Sequence, residues 1–159
     1  MILDTKRQRG FTLIELLIVV AIIGILTAVG LGQFFTAQKR GRDTARKRAL
    51  ESISRALEMY YNDNETYPIA VEGVIENYNW GEMFGSTEET VYIKRLPEDP
   101  ADNFQYYYES PDGSYYKLYA LLEHPQDEDR GGPYNDTNCQ ITDNQLCNYC
   151  IASADESCE

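Results

Sequence analysis

The chain alternates between three hydropathy regimes. Phe11–Phe35 is an almost unbroken apolar run, interrupted by Glu15 near its start and by Gly24, Gly30 and Gly32. A helix of about twenty residues crosses a bilayer, so this stretch has the length of a membrane span. From Gln33 to Tyr61 the pattern changes: Leu50, Ile53, Leu57 and Tyr60 recur at steps of three and four, with Arg and Lys between them. That spacing predicts a helix with one buried stripe. Asn62-Asp63-Asn64 and then Pro68 predict its end near Tyr61. Together the two stretches predict one helix near fifty residues, about 75 Å at 1.5 Å per residue.

The remainder alternates with a period of two. Val91–Ile93, Phe104–Tyr108, Tyr115–Leu122 and Asn148–Ala152 read as strands. Leu96–Pro100 is a turn excluded from regular structure by its two prolines. Ser110-Pro111-Asp112-Gly113-Ser114 reads as a hairpin turn: Pro presets one torsion, Asp bonds locally and Gly accepts positive φ. On the following strand Tyr116, Leu118, Ala120 and Leu122 fall on one face, and Tyr115, Lys117, Tyr119 and Leu121 on the other. The second face is partly apolar and is expected to meet another subunit. Ile69–Glu89, with Trp80 and Phe84, reads as a short helix or packed loop linking helix to sheet. The fold class is α+β.

Charge sharpens this division. The net charge is −12, unevenly distributed. Met1–Gly10 carries Lys6, Arg7 and Arg9 against Asp4. Gln33–Arg55 is a basic collar of seven cations against Asp43 and Glu51, whereas Ala56–Glu159 has four basic and twenty-two acidic residues. The collar suits attraction to anionic lipid or neutralisation of acidic surface on packed neighbours. The acidic remainder disfavours nucleic acid, whose phosphates require Lys and Arg. The positive N-terminal flank favours the cytoplasmic side and places the rest outside.

A carboxylate in hydrocarbon costs roughly 2.5–3.5 kcal/mol or more, so Glu15 asks for a partner charge. Cys139, Cys147, Cys150 and Cys158 follow a C-x7-C-x2-C-x7-C spacing. That spacing matches no zinc ribbon or finger. In an extracytoplasmic chain it predicts two disulfides, with three pairings open. No catalytic constellation, Walker loop or HExxH is present, and the single histidine, His124, precedes a proline. No enzymatic activity and no cofactor are expected.

Arg9-Gly10-Phe11-Thr12-Leu13-Ile14-Glu15 resembles the processing site of type IV pilins and type II secretion pseudopilins, and Tyr60–Pro68 resembles the end of their long helix. The resemblance implies a ladle-like fold, with a helix half stem and half packed against a small antiparallel sheet, closed by a disulfide-bonded C-terminal segment. It divides the chain into a leader at 1–10, a membrane and filament-core helix at 11–35, a second helical half at 36–61 and a head at 62–159. A prepilin peptidase would cut between Gly10 and Phe11 and methylate the Phe11 amine. Glu15 would pair with that amine on a neighbouring copy. Other implied partners are the chain itself in a helical homopolymer, an inner-membrane platform protein, an assembly ATPase and, before assembly, membrane lipid. The head would lie outside the inner membrane and end in a periplasmic or extracellular filament.

Many relatives carry a proline where Gly32 stands, and Gly30 with Gly32 would allow the same loosening of the helix. Leu96–Pro100, Tyr106-Tyr107 and Gly131-Gly132 further resemble major pseudopilins, a group with a calcium in the loop after its strands. Asp127, Glu128, Asp129 and Asp136 offer hard oxygen ligands of that kind. The residues themselves favour a solvated acidic loop with no metal. The disulfide-rich tail favours a type IV pilus subunit. The alternative is a major pseudopilin of a type II secretion or DNA-uptake system.

Overall fold

The computed structural model describes residues 10–86, 90–134, 139, 145–154 and 156–158, with the backbone alone at 29–31. The chain divides into two compact units, Met1–Gln38 and Lys39–Glu159.

Helix α1, Leu13–Asn64, begins in the first unit and ends in the second. Among the described residues of the first unit its apolar side chains find no cover. Leu13 is 81% exposed, Ile25 68% and Leu26 67%. The two hydroxyls within this stretch turn inward: Thr27 Oγ1 donates to the Ile23 carbonyl at 2.8 Å and Thr36 Oγ1 to the Gly32 carbonyl at 3.1 Å. This back-bonding removes polar groups that lipid or packed neighbours could not satisfy. The backbone is helical across Gly30 and Gly32. Among the described residues no single helix is long and apolar enough to cross a membrane. Leu13–Ala28 and Gly32–Asn64 pass that test as an interrupted pair, by length and composition.

In the second unit the predicted stripe is the core. Leu50, Ile53 and Leu57 are fully buried. The helix ends at Asn64, three residues beyond the expected Tyr61. Two tertiary and local contacts hold this polar last turn: Asn64 Nδ2 donates to the Tyr60 carbonyl at 2.9 Å, and Tyr92 Oη donates to Asp63 at 3.2 Å. Glu65 then turns left-handed at φ 58°.

Over its described residues, 69–86, the segment expected as a short helix or packed loop holds short strands joined by turns. Strands β1 (Ala70–Val71) and β2 (Val74–Ile75) form an antiparallel hairpin. Its two-residue loop, Glu72 at φ 51° and Gly73 at φ 84°, has the positive torsions that match strand twist in tight hairpins. A side chain on Gly73 would meet the Tyr107 ring at 2.6 Å. Strand β3 (Phe84–Gly85) pairs with β4 (Val91–Ile93) across a register shift. The Val91–Ile93 strand therefore belongs to its own two-stranded ladder. Such short strands give too few alternations for a period-two signal.

The main sheet has the order β5-β6-β7, from Tyr107–Glu109, Lys117–Ala120 and Tyr149–Ala152, all antiparallel. The β5–β6 turn forms as expected: Asp112 Oδ1 accepts from the Ser114 amide at 3.0 Å and Gly113 sits at φ 78°. Tyr116, Leu118, Ala120 and Leu122 are each at most 1% exposed, and all but Leu122 join the cluster of Leu50, Ile53 and Leu57. The opposite face departs from expectation. Tyr119 and Leu121 are buried too, in a second cluster with Cys139 and Cys147. The chain's own C-terminal segment covers this face, so no second subunit is needed to cover it. Of the three pairings, the structure contains Cys139–Cys147 and Cys150–Cys158.

Candidate functional site

Two sets of residues carry candidate function, one in each unit. In the first, Gly10 and Phe11 precede the helix in open surroundings. Nothing lies within 4 Å of a Cβ placed on Gly10, and Phe11 is 79% exposed. Glu15 lies in the first turn of α1. Its Oε2 accepts from the Thr12 amide at 2.8 Å and from Thr12 Oγ1 at 2.6 Å, while the Glu15 amide donates to Thr12 Oγ1 at 3.3 Å. This is a capping box, the reciprocal Thr-x-x-Glu arrangement that satisfies orphan amides at a helix start. Sequence reasoning read Glu15 as a stranded charge and passed over Thr12, although threonine three residues before a glutamate signals this cap. The bonds from Thr12 are dipolar, so Glu15 has hydrogen-bond partners but no compensating positive charge among them.

The second set explains much of the collar. Extending the stripe Leu57-Ile53-Leu50 back by the same steps lands on Arg46 and Asp43, respectively 0% and 1% exposed. Arg46 grips Asp99 with two bonds, Nε to Oδ2 at 2.7 Å and Nη2 to Oδ1 at 2.8 Å. Its Nη1 reaches Asp43 Oδ1 at 2.9 Å and Glu123 Oε1 at 2.7 Å. The Phe104 ring lies 4.6 Å from the guanidinium. Arg42 holds Glu123 through Nε at 2.7 Å and Nη2 at 2.5 Å. Asp43 also accepts from the amides of Glu123 and His124 at 2.9 and 2.8 Å. Arg40 Nε donates to His124 Nε2 at 3.2 Å, and Lys47 Nζ reaches Asp127 Oδ1 and Asp129 Oδ2, both at 2.5 Å.

Apart from Asp43, which sits on α1 itself, every one of these partners lies in the chain's own head. Arg40, Arg42, Arg46 and Lys47 thus bind the segment after β6 to α1, an intramolecular use that neither reading of the collar anticipated. Asp99 gives Leu96–Pro100 its place: Leu96 is buried in the core while Asp99 meets Arg46.

The pairing shifts how tightly each group holds its proton. Hydrogen bonding from Arg42, joined by Arg46, outweighs burial and brings the Glu123 pKa down to about 2. For Arg46, burial by itself works downward, but bonds and charge from Asp99 and Glu123 prevail and raise its pKa. Lys47 follows the same logic, with burial opposed and overcome by Asp127 and Asp129. Burial holds the phenols of Tyr106, Tyr108 and Tyr116 above their ordinary range. Among the described residues no three His, Cys, Asp or Glu side chains converge as a metal site; Asp136 lies outside those residues.

A long N-terminal helix, small antiparallel sheets and a doubly cross-linked C-terminal segment define the α+β pilin fold. Residues 5–31 match the prokaryotic N-terminal methylation motif, and residues 33–143 match the type II secretion system (T2SS) protein G model. The type II secretion system core protein G of Pseudomonas aeruginosa is 32% identical over 146 residues, covering 89% of this chain and all of the relative. Its counterpart in Escherichia coli is 31% identical over 62% of this chain and 70% of its own length. The type IV wide pilus major component PilA4 of Thermus thermophilus is 47% identical, but over 39% of this chain and 47% of its own length. No solved structure matches. The chain belongs to the type II secretion system protein G family, within the pilin and pseudopilin superfamily.

Proposed function

We propose that this chain is the major pseudopilin of a type II secretion system. The observation that carries this reading is the extent of the match: it runs through the head to residue 143 in the protein G family, whereas the similarity to PilA4 spans 62 residues. The pilus reading, which rested on the disulfide tail, therefore gives way to its alternative. The disulfides have another role, since they close the segment that covers the outer face of β6.

In this reading residues 1–10 form a leader that a prepilin peptidase removes, and Phe11 becomes the methylated first residue. Residues 11–35 hold the protein in the inner membrane with the head outside. Residues 36–61 carry the helix into the head at 62–159. The T2SS platform and ATPase then draw the chain into a periplasmic filament. Monomeric proteins rarely expose more than a few hundred Å² of continuous apolar surface. A stem as bare as Leu13–Leu26 therefore needs lipid or sister stems around it.

Glu15 supplies register. Thr12 occupies Oε2, and Oε1 is the acceptor proposed for the new amine of a neighbour. The cap then survives docking, and only the correct stagger neutralises the carboxylate. A buried charge without its partner costs several kcal/mol, which disfavours other staggers.

Deleting the gene in its source organism tests the function. Extracellular proteins are expected to accumulate in the periplasm while any surface pili persist in electron micrographs. Loss of pili with secretion intact would assign the chain to a pilus instead. Intact-mass analysis of the native protein should show a chain beginning at Phe11 with one added methyl. A chain beginning at Met1 would remove the processing site, as would efficient cleavage of Gly10→Leu.

A further inference from the structure

Lys47 follows the buried Arg46 on α1, and its side chain is 21% exposed. Its ammonium lies between Asp127 Oδ1 and Asp129 Oδ2, 2.5 Å from each. Tyr149 of β7 floors the site, with its ring centre 5.8 Å from Nζ. The segment itself is folded around the same carboxylate. The Asp129 amide donates to Asp127 Oδ1 at 3.1 Å, the Asp127 amide to the His124 carbonyl at 3.2 Å, and the Arg130 amide to the Asp127 carbonyl at 3.3 Å. Asp127 is thus the hub of the turn, and its charge is already met from α1.

Such a turn is where the family resemblance implies calcium. Calcium takes six to eight oxygen ligands at about 2.3–2.6 Å. Here two of the candidate oxygens hold an ammonium at hydrogen-bond distance, and a third carboxylate does not join them among the described residues. A divalent ion at this place would have to expel Lys47 from a half-buried position or sit beside its positive charge. Asp127 and Asp129, engaged in this way, do not fit calcium.

We propose that the Lys47 ammonium is this head's built-in loop cation: it pins the turn at 124–130 to α1 and makes the fold independent of calcium. A tethered cation is present at every calcium concentration, so the head closes as soon as α1 and β6 pack, with no ion to recruit. This property holds for a secretion pseudopilus or a pilus alike, because it concerns the head's own closure.

Thermal unfolding of the full mature chain in detergent micelles tests the inference, read in millimolar calcium and in excess EGTA. The two midpoints are expected to coincide. Lys47→Met is expected to melt several degrees lower in both buffers, and Lys47→Arg to return most of that loss. A wild-type midpoint that rises by several degrees with calcium would overturn the proposal. So would a Lys47→Met protein that melts like wild type. Should Lys47→Met fail to accumulate, Asp127→Asn reads the same contact. It keeps an acceptor for the Asp129 amide but loses the charge, so a lower midpoint supports the clamp and an unchanged one refutes it.

Discussion

The two ends of α1 use apolar and charged residues in opposite ways. Near the start Leu13, Ile25 and Leu26 are each about two-thirds exposed or more; further along, Leu50, Ile53 and Leu57 are fully buried. Each region also sets a charge among apolar neighbours. Arg46 meets three carboxylates, a second arginine shares one of them, and all of this closes within the chain. Glu15 meets a threonine cap that offers dipoles but no positive charge. Among the described residues the head's buried charges are therefore met within the chain, whereas the stem's apolar surface is left bare. Under the proposed function, that surface and the Glu15 carboxylate are what a sister copy with a free amine covers.

Removing the unsatisfied charge should break the comparison most severely. Glu15→Val is expected to insert and be processed normally but to abolish pseudopilus formation, read by shearing and immunoblot after overexpression. Normal filament yield from this variant would dissolve the distinction between a head whose charges are met within the chain and a stem whose charge is met by a neighbour.

Removing the satisfied charge should act on stability instead. Arg46→Met leaves Asp43, Asp99 and part of Glu123 buried without their counter-ion. Breaking a buried pair in this way costs about 3–5 kcal/mol. Denaturant unfolding of the variant in micelles checks that figure, and a loss below about 1 kcal/mol, the range of surface pairs, would show the cluster to be solvated.

A smaller effect is expected at the C-terminal segment. Cys139→Ser with Cys147→Ser opens a short loop whose closure stabilises by about 2–3 kcal/mol. Because this pair lies under Tyr119 and Leu121, the side-chain NMR signals of those two residues should shift and broaden, while those of Leu118, Leu50 and Ile53 keep their native positions. Equal disturbance of both sets would contradict two separate clusters.

The mildest probe is acid. The Glu123 carboxyl is held at about 2, below its ordinary 4.5. A depressed carboxylate contributes stability that is complete above the unfolded value and disappears as pH falls through the folded one. Melting temperature should therefore decline between about pH 4.5 and pH 2 more steeply in wild type than in Glu123→Gln. Parallel profiles would show that Arg42 and Arg46 do not hold this group in solution.

The amino-acid sequence alone determined whatever repeats within a few residues. The 3-4-3 stripe of α1, the Pro-Asp-Gly turn and the alternation along β6 are local patterns, and each reappears in the structure. The capping box was equally local, and Thr12 was legible beside Glu15. Tertiary structure decided what distant segments bring together. Asp99 and Glu123 reach Arg46 across 53 and 77 positions, and Lys47 finds Asp127 across 80. An arginine on a helix reads as a solvated face until those carboxylates arrive to neutralise it. The same reason hid the cover over Tyr119 and Leu121, since one strand cannot show whether its second face meets a neighbour or its own tail. Short-range periodicity specifies which way a side chain points; only the folded chain specifies what waits there.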